Sequence, residues 1–237
     1  MIIDGFTIFG SWPGQPEDHP VEQLVEGLER YKLDRACTLC ANSIFLDAGL
    51  GNEATFTACQ SDPRLIPIGT ADPRVGDEGQ ASACRERGFK LMALFPNSQG
   101  WPLDSVTAQA IIRQIADANM ALVIEAGHSG DPSRILRNIK DDALPVILLD
   151  VSLHVLSEAM AVLAARPRTY LTTRLLTGGD TIEHLIQTVG ADRLLFTTRY
   201  PISCFSSAFL TAKFALINDA DRHAIMGGNM AKLLGIA

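Results

Sequence analysis

Eight short apolar runs, each followed by a stretch with helical periodicity, recur along the chain. This alternation constrains the fold more than any other feature. The runs are MIIDGFTIF, RACTLCAN, RLIPIGTA, FKLMALFP, ALVIEAGH, PVILLDVS, RTYLTTRL and RLLFTTRY. Apolar runs of this length suit parallel strands covered on both faces. Between them, Val21, Leu24, Val25 and Leu28 form one helical stripe, and Ile182, Leu185, Ile186 and Val189 another. Ile111, Ile112 and Ile115 serve a further helix, as do Leu156, Ala159, Met160 and Leu163; NEATFTACQ and QASACRERG carry fainter signals. GDPSRIL offers Asp131 as a cap with Pro132 at the first helical position, and Pro20 opens HPVEQL in the same way. The glycine pairs in TGGD and MGGN place Asp180 and Asn229 as caps. Eight strand–helix units with short connections in 237 residues predict an α/β fold, a (β/α)8 TIM barrel spanning 1–237 as one domain. A doubly wound open sheet is the alternative.

The chain carries a net charge of −7 and no basic cluster, which argues against nucleic-acid binding. No apolar run approaches the ~18 residues needed to span a bilayer, and the first residues lack a basic flank. The expectation is a cytoplasmic protein with no membrane segment and no signal peptide. Cys37, Cys40, Cys59, Cys84 and Cys204 form an odd, scattered set, expected to be reduced, buried structural thiols. The CTLC pair lies in a strand, where positions three apart point to opposite faces, so it predicts no shared metal or redox role.

Five phrases carry a family resemblance: the opening MIIDGFTIFG, GFKLMALFPNSQGWPLD, ALVIEAGHSGDP, GADRLLFTTRYP and the closing IMGGNMAKLLGI. In this order and spacing they resemble the amidohydrolase superfamily, in its amidohydrolase-2 branch of hydrolases and decarboxylases for carboxylate-bearing substrates. The resemblance implies a metal site built from histidines on strands one, five and six and an aspartate on strand eight. This chain departs from that pattern. Phe6 and Ile8 stand at the first histidine pair, Glu125 at the strand-five histidine, Asp150 at the strand-six histidine and Arg199 at the aspartate; Ala93 and Phe95 replace the strand-four lysine and histidine. The expectation is therefore no metal and no other cofactor, because zinc needs three or four donors around one point and Arg199 brings a permanent cation there.

The replacements predict a mouth that is half apolar, with Phe6, Ile8, Ala93 and Phe95, and half charged, with Glu125, Asp150 and Arg199. Arg199 is expected to bridge both carboxylates through its planar fork of donors. Two readings follow. The cluster is a buried ion-pair group filling an abandoned metal site, or it stays partly open. In the open form Arg199 orients a substrate carboxylate or polarises a carbonyl, and Glu125 or Asp150 serves as general base. His128 and His154, just past strands five and six, are candidate proton donors. Arg174 is a candidate second anion-binding group, and Trp12 and Trp101 are candidates to close over an apolar ligand. Two functions stay open at this point. One is a metal-independent hydrolase or lyase for a small carboxylate or lactone, by analogy with metal-independent lactonases related to the superfamily. The other is a non-catalytic descendant that binds a small molecule or a protein partner. An ordinary metal-dependent amidohydrolase is the third reading, and barrels of this kind often pair as homodimers.

Overall fold

The computed structural model describes residues 1–76 and 79–236. Its strands, in chain order, are β1 (Ile3–Ser11), β2 (Asp18–His19), β3 (Arg35–Cys40), β4 (Leu65–Thr70), β5 (Leu91–Leu94), β6 (Ala121–Glu125), β7 (Val146–Leu149), β8 (Thr169–Thr172) and β9 (Leu194–Leu195). They form one curled sheet in the order β2-β1-β3-β4-β5-β6-β7-β8-β9. Pairing is parallel from β1–β3 through β8–β9, and only the two-residue β2 runs antiparallel. Each of the eight apolar runs holds one of the parallel strands, β1 running two residues past its run to Ser11. The last run yields only Leu194 and Leu195, because the backbone from Phe196 onward bonds across to β1 instead. Gly5 N donates to Phe196 O at 2.8 Å, Arg199 N to Phe6 O at 2.8 Å, and Ile8 N to Tyr200 O at 3.2 Å.

Side-chain alternation divides the core in two. One face of the sheet gathers Phe6, Ile8, Cys37, Leu39, Ala93, Phe95, Val123, Ile147 and Leu149. The other face packs Met92, Leu94, Leu122, Ile124, Val146 and Leu148 against helical residues such as Leu24, Leu28, Ile111, Ile115, Leu163 and Leu185. Cys37 and Cys40 accordingly fall in different clusters, as the CTLC spacing requires. All five thiols are free. Burial pushes the Cys84 thiol up to about 11 and that of Cys59 up to about 12. Cys204 departs from expectation and is exposed, since it sits just before the helix Phe205–Phe214 rather than in a strand.

Two helix starts shift by one residue. The helix after β6 begins at Asp131 itself, after Gly130, and the first helix begins at Val21, after Pro20. The Asp131 carboxylate accepts from His128 N at 2.9 Å and Asn97 Nδ2 at 2.7 Å, so it ties two loops together. Asp180 does precede the helix Thr181–Val189, but its side chain makes no capping bond. Asn229 is not a cap. Its amide donates to Ala191 O and Leu194 O, both at 2.8 Å, and pins the C-terminal helix beneath β9.

Helix Ala48–Ser61 crosses the short helix Asn42–Phe45 at Gly51. A Cβ there would stand 2.2 Å from Ser43 N and 2.3 Å from its Cα, both backbone atoms that cannot rotate away. Gly51→Ala is therefore expected to destabilise the protein by about 1–3 kcal/mol. An unchanged urea midpoint would show that the two helices separate freely.

Candidate functional site

Glu125 ends β6 in phase with Ala121 and Val123, so it faces inward. The one-turn helix Pro96–Gln99 meets it with its free N-terminal amides. Asn97 N and Ser98 N donate to Oε2 at 2.9 and 3.0 Å, and the Ser98 hydroxyl donates to Oε1. Only 7% of Glu125 is exposed. Burial pushes its carboxyl above the usual range, the nearby Asp150 charge adds to this, and the bonds from Ser98 and Asn97 oppose it.

Asp150 is reached differently. Alternation along β7 puts Ile147 and Leu149 inside and Val146 and Leu148 outside, so the next residue would turn outward. The backbone breaks that phase with φ 61° at Asp150. Its carboxylate then lies between two guanidiniums. Arg174 donates to Oδ1 from Nε at 3.1 Å and Nη2 at 2.5 Å, and Arg199 Nη1 lies 3.2 Å from Oδ2. Arg199 also has a left-handed backbone, φ 63°. Its guanidinium lies over the Trp12 ring at 4.7 Å, and Trp12 meets Phe45 edge-on at 4.8 Å. Burial lowers the Arg199 pKa, with Asp150 opposing. Among the described residues its buried Nε has no hydrogen-bond partner.

The expected bridge from Arg199 to both carboxylates is thus corrected. Of the two carboxylates Arg199 meets Asp150 alone, Arg174 takes the other Asp150 oxygen, and Glu125 is held by amides and a hydroxyl. The amides of PNSQ are absent from the candidates named in the sequence, because backbone donors leave no mark on residue type. A proline at a first helical position, directly after a strand, was the available signal.

A cavity of about 370 Å³ opens beside Glu125 and Asp150, lined by Asn97, Ser98, Glu125, Gly127, His128, Asp150, Ser152 and Leu175; the expected mouth residues Arg174, Arg199 and Trp12 do not line it. His128 stands on its rim, with its side chain 75% exposed and Nδ1 3.6 Å from Asp131. His154 is exposed on the turn before the helix Leu156–Ala165 and does not line this cavity. Phe6 and Phe95 are not accessible to a ligand. They are 2% and 0% exposed and fill the inner core. Trp101 lies apart from Trp12. It is buried in the outer core, its indole donates to Gln99 Oε1 at 2.8 Å, and it lines a separate cavity of about 440 Å³ on the other side of Glu125. Among the described residues no group of three or more His, Cys, Asp or Glu is gathered as a metal site, and no helix is long and apolar enough to cross a membrane.

The Amidohydro_2 (amidohydrolase) family model matches residues 41–236. A search of curated protein sequences finds no match. Among solved structures, a 5-carboxyvanillate decarboxylase from Novosphingobium aromaticivorans, complexed with manganese and 4-hydroxy-3-methoxy-5-nitrobenzoic acid, superposes with a TM-score of 0.81 at 16% identity, covering 99% of this chain and 96% of that one. A dihydroxybenzoic acid decarboxylase from Polaromonas sp. JS666, with manganese and 2-nitroresorcinol, gives 0.80 at 16% identity over 99% and 97%. A probable 2-pyrone-4,6-dicarboxylic acid hydrolase from Acinetobacter baumannii, with citric acid bound, gives 0.74 at 12% identity over 99% of both chains.

Proposed function

Because this chain belongs to the amidohydrolase (Amidohydro_2) family, we propose that it is a metal-independent hydrolase or lyase acting on a small carboxylate- or lactone-type substrate at the mouth of a closed (β/α)8 barrel. The observation that carries this reading is the paired strain at Asp150 and Arg199. Both residues hold a left-handed backbone and their side chains meet. For a residue with a Cβ that conformation costs about 1–2 kcal/mol, and such strain collects where side chains must be aimed. A cluster serving only to fill space needs no such aiming. The closed barrel is supported by the bonds from Phe196–Tyr200 to β1.

In this reading Asp150 and Arg174 orient the Arg199 guanidinium. Its charge acts through Asp150, which lines the cavity, on a substrate carboxylate or the oxyanion of an attacked carbonyl held there. Glu125, its pKa raised by burial, takes a proton from water as that water attacks. The carbonyl carbon–oxygen bond of the leaving group then breaks, and the departing oxygen collects a proton at the open rim, where His128 stands. The donor set does not fit the manganese carried by the similar decarboxylases. Asp150 is held between two guanidiniums, and Phe6 and Ile8 offer no ligand atom. The hydroxybenzoate and pyrone carboxylates named for those structures set the substrate size to be tried first.

The test is a panel of lactones and hydroxybenzoates. On the substrate turned over, Arg199→Ala and Glu125→Gln are expected to lower kcat/KM at least about 100-fold while the fold is retained. Activity should rise with pH as Glu125 deprotonates, above the ordinary carboxylate range, and Glu125→Gln should remove that limb. Turnover that chelation abolishes, manganese restores and Arg199→Ala leaves intact would overturn the reading. One observation favours a non-catalytic binding protein instead: both carboxylates already have hydrogen-bond or ionic partners. A panel without turnover, combined with saturable carboxylate binding that Arg199→Ala removes, would select it.

A further inference from the structure

We propose that a second small-molecule site lies at the opposite end of the strands from the mouth, and that it takes a flat aromatic body carrying one carboxylate or sulfonate. A cavity of about 680 Å³ opens there, between the end of the first helix, the start of β1 and the helix Phe205–Phe214. That volume lies within the range of small-molecule sites, roughly 300–1,000 Å³.

Its floor is aromatic. Tyr31 stacks on Phe205 with centroids 3.8 Å apart and planes 10° apart, and Phe205 stacks on Phe209 at 5.1 Å. Tyr31 and Phe209 both reach the cavity wall and offer ring surface for offset stacking. Its rim is cationic. Arg30, Lys32, Lys213 and Arg222 face a single carboxylate, Asp34, in a chain whose net charge is −7. Asp34 is already engaged, since Ile2 N donates to it at 2.6 Å. Arg222 spends its Nη donors on the carbonyls of Ala212, Lys213, Ala215 and Ile217, which satisfies its hydrogen bonds but leaves its charge, and its nearest carboxylate is the exposed Asp219 at 4.0 Å. Lys213 Nζ lies 5.4 Å from the Phe209 centroid. Among the described residues the side chains of Arg30 and Lys32 have no hydrogen-bond or ion-pair partner. Unspent cations above an aromatic floor match an anion with a flat apolar body, both in charge and in shape. Four cations around one concavity do not make the extended basic stripe that a nucleic acid needs.

The experiment titrates the full chain with 2-naphthoate by calorimetry and with 1-anilinonaphthalene-8-sulfonate by fluorescence. Saturable one-to-one binding with Kd below about 1 mM is expected. The double reversal Arg30→Glu/Lys32→Glu should raise Kd about tenfold or more at an unchanged melting temperature, and uncharged 2-naphthalenemethanol should bind at least as weakly as that variant binds 2-naphthoate. Arg199→Ala, at the mouth, should leave the affinity unaltered. Absence of saturation at that concentration, affinity indifferent to the charge reversal, or binding lost with Arg199→Ala would each overturn the proposal.

Discussion

Asp150→Ala is expected to lower stability by about 3–5 kcal/mol and the melting temperature by roughly 10 °C. The side chains of Asp150, Arg174 and Arg199 are only 19%, 15% and 14% exposed. Removing the carboxylate leaves two guanidiniums sharing a poorly solvated space with no counter-charge. The cost is that of unpaired buried charge, not the net worth of the ion pairs, which in such settings is small. Arg174→Ala should cost much less, because Asp150 keeps Arg199. Asp150→Gly should be more stable than Asp150→Ala by about 1 kcal/mol, since glycine adopts the φ 61° backbone without the Cβ penalty. Thermal and urea unfolding of the three variants give the comparison. If Asp150→Ala melts within a degree or two of the parent, Asp150 is not what neutralises this cluster.

Stability should also fall as pH rises from about 4 to about 7, the reverse of ordinary acid denaturation. The group responsible is Asp4, wholly buried where β1 meets the chain after β9. Phe6 N at 3.2 Å and Thr198 N at 3.0 Å donate to Oδ1, and the Thr198 hydroxyl pairs with Oδ2. Burial outweighs these bonds and pushes the carboxyl up to about 7. A folded pKa above the unfolded one means that the folded state binds the extra proton. The stabilisation is complete below the unfolded pKa, near 4, and is lost as pH climbs through the folded value, with a total on the order of 4 kcal/mol. Neutral Asp4 suits the site, because Thr198 Oγ already accepts from Tyr200 N at 3.0 Å and can take the carboxyl proton in place of donating its own. Asp4→Asn should therefore flatten the profile between pH 4 and 7 and exceed the parent in stability at pH 8. Urea midpoints at pH 5 and pH 8 decide this. Parallel profiles for parent and variant would show that Asp4 stays ionised throughout.

Much of the fold and part of the site were legible in the chain itself. Apolar runs such as PVILLDVS and stripes such as Leu24–Leu28 and Ile111–Ile115 report burial directly, because periodicity follows from which side each residue must face. The family phrases marked Glu125, Asp150 and Arg199 as residues near one another at the strand ends, and parallel neighbours in sequence order make that so. The expected partner list did not hold. Hydrogen bonding depends on atoms supplied by segments far apart in sequence: Arg174 is 24 residues from Asp150, and Ser98 is 27 from Glu125.

What the amino-acid order determined by itself was the succession of elements and their buried faces, since local periodicity and hydropathy act without knowledge of the rest of the chain; that Phe6 and Phe95 fill the inner core and not an accessible mouth was decided by the fold. The curled sheet alone decided that Arg199 would share Asp150 with Arg174, that Asp4 would be sealed at the seam with Thr198, and that Tyr31 and Phe209 would line one concavity beneath unspent cations. A backbone turned left-handed at Asp150 and Arg199, and strands that brought distant side chains within hydrogen-bond reach, set those partners. Electrostatic pairing is a property of distance, and distance exists only once the chain has folded.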